Sequence, residues 1–309
     1  MKACVDIGGT KVAVSLAETG SRTLLHRHSE PTAKQGANDA VAQQVLRLID
    51  AACAAQGVKR ESLTGVGVAA PGPFVLNAGA VELTTPNICG GMAGAERGLP
   101  NDWVTATLEA PLRAHFKQVR VANDAVAALE AERRWGALQG LQHCAYVTWS
   151  TGVGVGLCVD GHALAGKNGN AGHAGHSFVA DDDNHDALCG CGNRGDVEGL
   201  IAGNSIERRF GRTAEQLFTA AQQGDKAALD IAEGLVRVMG RLLYNLIATL
   251  DLQRVSLGGS VFWHNRDWLL PRLSAQINGK LPAITGGVQL VAAGLGSQVG
   301  DYGPLALMD

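Results

Sequence analysis

The sequence predicts an α/β protein made of two similar halves that face a cleft. A strand, a glycine turn and a second strand follow one another within residues 2–17, and the same order returns within residues 146–159. Within residues 11–17, Val12, Val14 and Leu16 alternate with smaller residues, which is the period-two pattern of a half-buried strand. Long amphipathic helical patterns over residues 38–56 and 225–250 add the helical layer of an α/β fold.

The elements can be placed along the chain from periodicity and from their terminal signals. Helix 38–56 has Asn38 as a candidate cap, and Gly57 follows its end. The predicted strands are residues 2–7, 11–17, 65–70, 119–122, 146–149, 153–159 and 254–257, and the other predicted helices are residues 124–139, 225–250 and about 292–309.

No Ser- or Pro-rich linker marks a domain border, so the repeat places that border near residue 120. The prediction is an N-terminal α/β lobe over residues 1–120 and a larger C-terminal α/β lobe over residues 121–291. The C-terminal helix, about 292–309, is a candidate to pack back on the first lobe.

The composition is that of an ordinary globular protein without a basic surface. Of the 309 residues, 46% are hydrophobic, and 26 Lys and Arg balance 29 Asp and Glu, which argues against nucleic acid as a partner. No apolar run reaches the roughly 18 residues of a membrane helix, and Asp6 interrupts the N-terminal apolar stretch, which argues against a signal peptide. We therefore expect a cytoplasmic protein without a membrane partner, in which Cys4, Cys53, Cys144 and Cys158 are buried thiols.

The first motif with chemical content is Asp6-Ile7-Gly8-Gly9-Thr10-Lys11. Adjacent glycines let backbone N–H groups approach an anion, Thr10 adds a hydroxyl donor, and Asp6 is placed to hold a metal-bound water. A plain hairpin turn is the alternative, because Gly-Gly is a common hairpin signal. The flanking Asp and Thr, and the partial echo at Ser150-Thr151-Gly152, favour phosphate binding. The motif is not a Walker A loop, because a strand follows it instead of a helix.

The second motif is Asn123-Asp124, at the boundary between a predicted strand and a predicted helix. Ligands of open α/β sheets bind where the strands end, so Asp124 is a candidate general base. The alternative is a helix cap, a position that Asp often fills. Phosphoryl transfer tolerates a weak base, because positioning and charge stabilisation supply most of its catalysis.

The third motif combines His176 with Cys189, Cys191 and Asp196. Thiolate and imidazole are preferred zinc ligands, and a carboxylate can occupy the fourth tetrahedral position. The close Cys-Gly-Cys spacing lets a loop fold around an ion, and we interpret the group as a structural zinc site. Two incidental loop thiols are the alternative.

The fourth motif is the segment 169–176, which contains His173 and His176, together with Glu198 downstream. Small residues around two histidines suit a tightly packed loop that presents polar side chains. A sugar needs several convergent donors and acceptors, which His and Glu provide. For His173 the alternative is a solvated loop histidine.

Together these motifs resemble the ROK (repressor, open reading frame, kinase) family of sugar kinases and regulators. The matching segments follow the family's order and are Asp6–Lys11, Ala70–Pro73, Thr85–Asn87, Asn123–Asp124, Ser150–Gly156, Gly169–His176, Cys189–Glu198 and Gly258–Ser260. The resemblance implies a two-lobed actin/hexokinase-like (ribonuclease H-like) α/β fold with a central cleft. It also implies an ATP:sugar phosphotransferase that uses ATP and Mg²⁺ and phosphorylates the 6-hydroxyl of a hexose.

The resemblance also assigns roles to residues. Asp124 is the implied catalytic base, and His176, Cys189 and Cys191 are the implied zinc ligands, with Asp196 as the fourth candidate. The implied ATP-binding residues are Asp6, Gly8, Gly9, Thr10, Lys11, Thr151, Gly152, Gly258 and Gly259. The implied sugar contacts are Gly72, Asn87, Asn123, Asp124, His176 and Glu198, with His173 added because it lies in the same loop.

Two positions depart from the family pattern. The family usually has Glu where this chain has His173, and a third Cys where it has Asp196. His at the first position resembles the bacterial N-acetylmannosamine kinases, whereas glucokinases and fructokinases of the family have Glu. A neutral imidazole can donate to an acetamido carbonyl, whereas a carboxylate can only accept. N-acetylmannosamine is therefore the expected substrate, and a glucokinase or fructokinase is the alternative.

Two other classes of function compete with a kinase. The family includes sugar-responsive transcriptional regulators, whose DNA-binding helix-turn-helix precedes the first glycine turn, and here five residues precede Asp6. A sugar-binding or scaffold protein without catalysis is the other, and the presence of Asp124 and of both glycine turns argues against it. By analogy with the family, we expect a homodimer.

Overall fold

The computed structural model describes residues 1–92, 98–179 and 186–308. Its residues fall into two compact units. Unit 1 comprises Met1–Ala131, Ala165–Ala171 and Gly300–Asp309, and unit 2 comprises Glu132–Leu164 and Gly172–Val299. The border in the chain thus follows residue 131, whereas the repeat suggests residue 120, and the C-terminal residues from Gly300 belong to unit 1.

The bounds of the elements agree with the sequence pattern for most of the chain. The strands are β1 (Lys2–Ile7), β2 (Lys11–Ala17), β3 (Leu24–Pro31), β4 (Gly65–Ala70), β5 (Phe74–Asn77), β6 (Ala80–Leu83), β7 (Ala106–Thr107), β8 (Val119–Asn123), β9 (Cys144–Trp149), β10 (Val153–Val159), β11 (His162–Ala163), β12 (Arg254–Gly258) and β13 (Gln289–Ala292). The α-helices are α1 (Ala40–Gln56), α2 (Glu109–Arg113), α3 (Asp124–Trp135), α4 (Val197–Ile201), α5 (Gly203–Phe210), α6 (Ala214–Gln222), α7 (Lys226–Leu250), α8 (Ser260–His264), α9 (Arg266–Ile277), α10 (Pro282–Thr285) and α11 (Val299–Ala306).

Unit 1 is built on a five-stranded sheet with the order β3-β2-β1-β4-β8. Strands β1 and β2 form an antiparallel hairpin, whereas β1, β4 and β8 are parallel. Helix α1 packs on β2 and β3 and buries one apolar face, which includes Val41, Val45 and Ile49. The parallel strands end at one edge of the sheet, so Asp6 near the end of β1 and Asn123 at the end of β8 are brought to the same edge.

Unit 2 repeats this pattern in a second five-stranded sheet with the order β11-β10-β9-β12-β13. Strands β9 and β10 form the antiparallel hairpin, and β12 is parallel to both β9 and β13. The 25-residue helix α7 begins after Asp225, whose carboxylate accepts the Ala228 N–H at 3.1 Å, and its apolar face enters the core of the unit. The repeat seen in the sequence is therefore a repeat of the same hairpin-plus-parallel-strand arrangement.

The start of α1 differs from the prediction. Asp39 precedes the helix without a side-chain cap, and Asn38 pairs with β7 instead. The Asn38 carbonyl accepts the Thr107 N–H at 2.9 Å, and its side-chain amide donates to Thr107 Oγ1 at 3.3 Å. The end of α1 agrees with the prediction, because Gly57 adopts a left-handed conformation with φ of 73°.

The helix predicted over residues 292–309 is also corrected. Strand β13 extends to Ala292 beside β12, and the helix begins only at Val299. Gly294 and Gly296 lie between them, and Gly296 has a φ of 60°, which an α-helix does not accommodate. Residue 309 lies outside the described residues.

Cys4, Cys53, Cys144 and Cys158 are buried thiols, as expected, and Cys89 is buried as well. Among the described residues, no helix combines the length and the apolar character that crossing a membrane requires.

Candidate active site and metal centre

The first glycine turn joins β1 to β2 in unit 1. The Gly8 N–H donates to the Lys11 carbonyl at 2.8 Å, and Thr32 holds the turn through its hydroxyl, which donates to the Gly8 carbonyl at 2.7 Å. A Cβ at Gly9 would lie 2.8 Å from Cβ of Asn87, so Gly9 permits the close approach of Asn87. Thr10 and Lys11 are exposed, and the predicted phosphate-binding turn is thus open to solvent.

Asp124 is the first residue of α3 and directly follows β8. Its carboxylate is exposed, whereas the preceding Asn123 is buried. Oδ1 of both side chains accepts the Ala125 N–H, at 2.8 Å from Asp124 and 3.0 Å from Asn123. The buried Asn123 therefore helps to hold the start of α3, and the exposed Asp124 lies at the end of the parallel strands.

Asp6 lies in a field of negative charge at this edge of the sheet. Its pKa is raised from 3.8 to about 6, first by burial and then by the carboxylates of Asp124 and Asp301, while Lys11 and Arg27 act in the opposite direction. Asp301 lies on α11 and pairs with Arg27 of β3 at 2.9 Å. The sequence analysis did not find Asp301, because 274 residues separate it from Arg27 and no motif marks it.

Two other predicted sugar contacts also belong to unit 1. Gly72 precedes a cis peptide bond to Pro73, and Asn87 is exposed beside Gly9. The adjoining Phe74 is fixed by Asn170, which accepts the Phe74 N–H at 2.7 Å and donates to the Phe74 carbonyl at 2.8 Å. Asn170 is a second residue that the sequence analysis did not assign.

The second glycine turn joins β9 to β10 in unit 2. The Ser150 N–H donates to the Gly152 carbonyl at 2.9 Å, and Thr151 is exposed. Oε2 of Glu198 accepts the Val153 N–H at 3.0 Å, and a Cβ at Gly152 would lie 2.7 Å from that same oxygen. Glycine at 152 thus allows the turn to rest against Glu198.

The Gly258-Gly259 turn follows β12 in the same unit. Gly259 has a φ of 87°, and a Cβ there would lie 2.4 Å from the Trp149 carbonyl oxygen. A Cβ at Gly258 would lie 2.4 Å from the hydroxyl of Tyr146. Both glycines are required by close packing on β9, which places this turn beside the start of the Ser150–Gly152 turn.

Four side chains in unit 2 form a group with the composition of a metal site. Ligand atoms of His176, Cys189, Cys191 and Asp196 all lie within 4.8 Å of one another. Nδ1 of His176 lies 3.2 Å from Asp196 Oδ2 and 3.5 Å from Cys189 Sγ, and Cys191 Sγ lies 3.5 Å from Asp196 Oδ2. A tetrahedral zinc ion with bonds of about 2.0 to 2.3 Å separates its ligand atoms by roughly 3.3 to 3.8 Å. The types of donor atom fit zinc, and the three distances of 3.2, 3.5 and 3.5 Å lie close to the spacing of a tetrahedral site.

The protonation of this group is set by burial and by its internal hydrogen bonds. Burial raises the pKa of both thiols, Cys189 and Cys191. A hydrogen bond to Asp196 raises the pKa of His176. Burial opposes ionisation of Asp196, but hydrogen bonds from His176 and from the Gly199 N–H lower the pKa of Asp196 overall. A divalent cation would supply the positive charge that thiolates at these two positions need.

The loop that carries the two histidines packs on β10. A Cβ at Gly172 or at Gly175 would lie 2.1 Å from a backbone carbonyl oxygen of β10, so glycine is needed at both positions. The rings of His173 and His176 are stacked with centroids 6.0 Å apart. Glu198 reaches the same region, because its Oε1 accepts from the Cys189 thiol at 3.4 Å.

The structure thus places the predicted residues in two sets. Unit 1 contains Asp6, Gly8, Gly9, Thr10, Lys11, Gly72, Asn87, Asn123 and Asp124, and unit 2 contains Thr151, Gly152, His173, His176, Cys189, Cys191, Asp196, Glu198, Gly258 and Gly259.

Known proteins resemble this chain over most of its length. An N-acetylmannosamine kinase of Shigella boydii serotype 18 is 32% identical over 268 residues, which cover 83% of this chain and 82% of that protein. A glucokinase of Aeropyrum pernix is 28% identical over 328 residues, which cover 98% of this chain and 95% of that protein. The crystal structure of a ROK hexokinase from Thermus thermophilus matches with a TM-score of 0.78 and 28% identity, over 99% of this chain and 96% of that chain.

The likeness to the hexokinase confirms the predicted fold class, because the mixed α/β sheets described above match the actin-like fold of the ROK sugar kinases. The ROK family model matches residues 2–309, which is nearly the whole chain. This chain therefore belongs to the ROK family.

Proposed function

We propose that the protein is an ATP-dependent sugar kinase that transfers the γ-phosphoryl group of ATP to the 6-hydroxyl of a hexose or N-acetylhexosamine. N-acetylmannosamine is the favoured substrate. The observation that carries the proposal is the position of Asp124, an exposed carboxylate at the end of β8, in the same unit and at the same sheet edge as Asp6. The chain belongs to the ROK family, and the relatives described above are named as sugar kinases. Both findings support the reaction class.

Asp124 is proposed as the general base. Its carboxylate accepts the proton of the sugar hydroxyl while the oxygen–phosphorus bond forms and the bond to ADP breaks. The carboxylate is anchored by the Ala125 N–H at 2.8 Å, which fixes its direction without burying it. Positioning of this kind is the main contribution that a protein makes to phosphoryl transfer.

The nucleotide is proposed to bind through the glycine turns. In unit 1 the Gly8 N–H closes the turn, and the N–H groups of Gly9, Thr10 and Lys11 are the proposed phosphate donors. In unit 2 the proposed donors are the N–H groups of Thr151 and Gly152, and Gly258-Gly259 is proposed to lie on the adenosine side. Asp6 fits the water shell of Mg²⁺, which would neutralise phosphate charge when bound. The raised pKa of Asp6 supports this role, because a cation would relieve the repulsion from Asp124 and Asp301.

His173 is proposed to favour an N-acetylated sugar. As a neutral imidazole it can donate to the acetamido carbonyl, whereas the Glu of other family members can only accept from hydroxyls. The stacked ring of His176 and the short helical turn after His173 support a fixed orientation of the His173 ring.

The group of His176, Cys189, Cys191 and Asp196 is proposed to hold a structural zinc ion. Such an ion would pin the loop that carries both histidines to the segment that leads into Glu198. Because Nδ1 of His176 is directed at Asp196 and Cys189, Nε2 is the ring nitrogen that can contact a sugar.

Replacing Asp124 with Asn is expected to lower kcat by roughly 10² to 10⁴-fold, because the amide cannot accept the hydroxyl proton. Sugar binding should survive. The measurement is a coupled ADP-release assay with isothermal calorimetry of the sugar. Glu130→Gln, the same acid-to-amide change on α3, is the matched control and should retain near-wild-type turnover. Turnover close to wild type in Asp124→Asn would rule out the assignment of the base.

Asp6 gives a pH dependence with a defined sign. Its pKa is about 6 in the folded protein against 3.8 without the fold, so its protonated form stabilises the protein fully below about pH 4. That contribution is lost as pH rises through 6, and it amounts to on the order of 2 to 3 kcal/mol. Without nucleotide or metal, Asp6→Asn should therefore be more stable than wild type at pH 8 and lose this pH dependence, although its kinase turnover falls.

The check is denaturant unfolding from pH 4 to pH 8 for wild type, Asp6→Asn and the control Asp267→Asn, whose side chain is 94% exposed. If the free energy of unfolding changed with pH in the same way in wild type and Asp6→Asn, the raised pKa of Asp6 would be contradicted.

The sugar preference is tested by steady-state kinetics on glucose, mannose, fructose, N-acetylglucosamine and N-acetylmannosamine. N-acetylmannosamine should have the highest kcat/KM, and His173→Glu should lower it while raising kcat/KM for the unacetylated hexoses. The specific substrate is wrong if an unacetylated hexose is the best substrate of the wild type. Absence of ADP release with every sugar would favour a regulator or a binding protein over a kinase.

The metal site predicts about one zinc ion per chain in the purified protein. Cys191→Ala removes one ligand and should abolish the bound zinc and lower the melting temperature, whereas Cys53→Ala, a buried thiol of unit 1, should keep the zinc. Elemental analysis and thermal unfolding provide the two measurements. Equal zinc content in the two variants would show that the ion, if present, lies elsewhere.

A further inference from the structure

Glu132 is a buried carboxylate that no motif points to. It lies in the last turn of α3 and its exposed fraction is 0%. Its Oε2 accepts three hydrogen bonds, from the Ala137 N–H at 2.9 Å, the Ser256 hydroxyl at 3.0 Å and the Gly294 N–H at 2.9 Å. Its Oε1 accepts one, from the Leu295 N–H at 2.8 Å. One side chain therefore satisfies four donors.

These donors come from three separate segments of unit 2. Ala137 follows α3, Ser256 lies in β12, and Gly294 and Leu295 form the turn after β13. Strands β12 and β13 are parallel neighbours, so their carboxyl ends reach the same edge of the sheet. Ligands bind at such edges in open α/β sheets. Through its hydrogen bonds, Glu132 thus connects the end of α3, strand β12 and the turn after β13 close to this edge.

Both sides of the Gly258-Gly259 turn are connected to Glu132. On one side, Ser256 lies two residues before Gly258 in the same strand. On the other side, the turn after β13 is joined to β12 by the Ala293 N–H, which donates to the Leu257 carbonyl at 2.8 Å. The same turn also supports α8, because a Cβ at Gly296 would lie 3.1 Å from the ring of Trp263.

The pattern of acceptors requires a carboxylate. Both oxygens of Glu132 face donors, and an amide in its place would direct an NH₂ group at one of those donors. Hydrogen bonds to an ionised acceptor are also stronger than neutral ones, and a buried donor left without a partner is destabilising. Substitution by Gln therefore changes the hydrogen bonding while it preserves the shape of the side chain.

We propose that Glu132 is a positioning residue for nucleotide binding. It fixes the Gly258-Gly259 turn and the turn after β13 in the arrangement that receives the adenosine part of ATP. This inference rests on the proposed function, since the nucleotide role of Gly258-Gly259 belongs to that proposal.

The test compares wild type, Glu132→Gln and Ser256→Ala, with the exposed Glu215→Gln of α6 as a control. Ser256→Ala removes one of the four hydrogen bonds and leaves the carboxylate three donors. The measurements are KM for ATP, KM for the sugar, kcat and the Kd of the ATP analogue AMPPNP by calorimetry. We expect Glu132→Gln to raise KM for ATP and the Kd of AMPPNP about tenfold, and Ser256→Ala to raise them about threefold.

The KM for the sugar should stay within about twofold in both variants, because a general loss of structure would raise both KM values. KM for ATP close to wild type in Glu132→Gln and Ser256→Ala, or an equal rise of both KM values, overturns the inference. If Glu132→Gln does not fold, Ser256→Ala decides in the same way.

Failure of the proposed function gives a different result. If the wild type phosphorylates no sugar but binds AMPPNP, the kinase proposal fails and the Kd comparison still tests Glu132. If the wild type binds no nucleotide at all, both proposals fail.

Discussion

The burial of Asp6 close to other carboxylates is the constraint on which the candidate active site depends. Burial first, and then the charges of Asp124 and Asp301, raise the pKa of Asp6 to about 6, so an ionised Asp6 is unfavourable there. Lys11 and Arg27 offset part of this repulsion. An arrangement of this kind is destabilising in isolation, and it is typical of sites that are completed by a cation. The ionised carboxylate of Asp6 therefore lowers the stability of unit 1, although the proposed chemistry requires that same carboxylate.

The rest of the fold supports this edge through close backbone contacts. Glycine is required where the turns rest on neighbouring groups, as at Gly152 against Glu198 and at Gly259 against the Trp149 carbonyl. In each unit the strands are held by the core, and the first and second glycine turns each join two of these strands. The turns therefore lie at the strand ends, where ligands of α/β sheets bind. Glu198 adds a link within unit 2, because one carboxylate contacts both the Ser150–Gly152 turn and Cys189.

Local signals made most of the fold predictable from the sequence. The bounds of β2 follow from a period-two pattern, those of β1, β4 and β10 from short apolar runs beside glycines and turn residues, and Gly57 ends α1 as its type suggests. The clustering of His176, Cys189, Cys191 and Asp196 was predictable because these residue types and the close cysteine spacing are specific, although His176 lies 13 residues before Cys189. Asp301 and Glu132 were not predictable, because their partners are 274 and up to 163 residues away and neither lies in a motif. Asn38 shows the same limit, since a partner in β7 displaced its local capping role.

The departure from the family pattern at Asp196 has a physical explanation in the structure. Oδ2 of Asp196 lies among the proposed metal ligands, while Oδ1 accepts the Gly199 N–H at 2.7 Å and caps α4. A cysteine has one sulfur atom, which cannot serve a metal ion and a helix N-terminus strongly at once. A carboxylate can do both, because it has two acceptor oxygens. Its charge would also take the place of the thiolate charge in balancing the metal ion. The chain thus exchanges a softer metal ligand for a residue that joins the proposed metal site directly to the helix that carries Glu198.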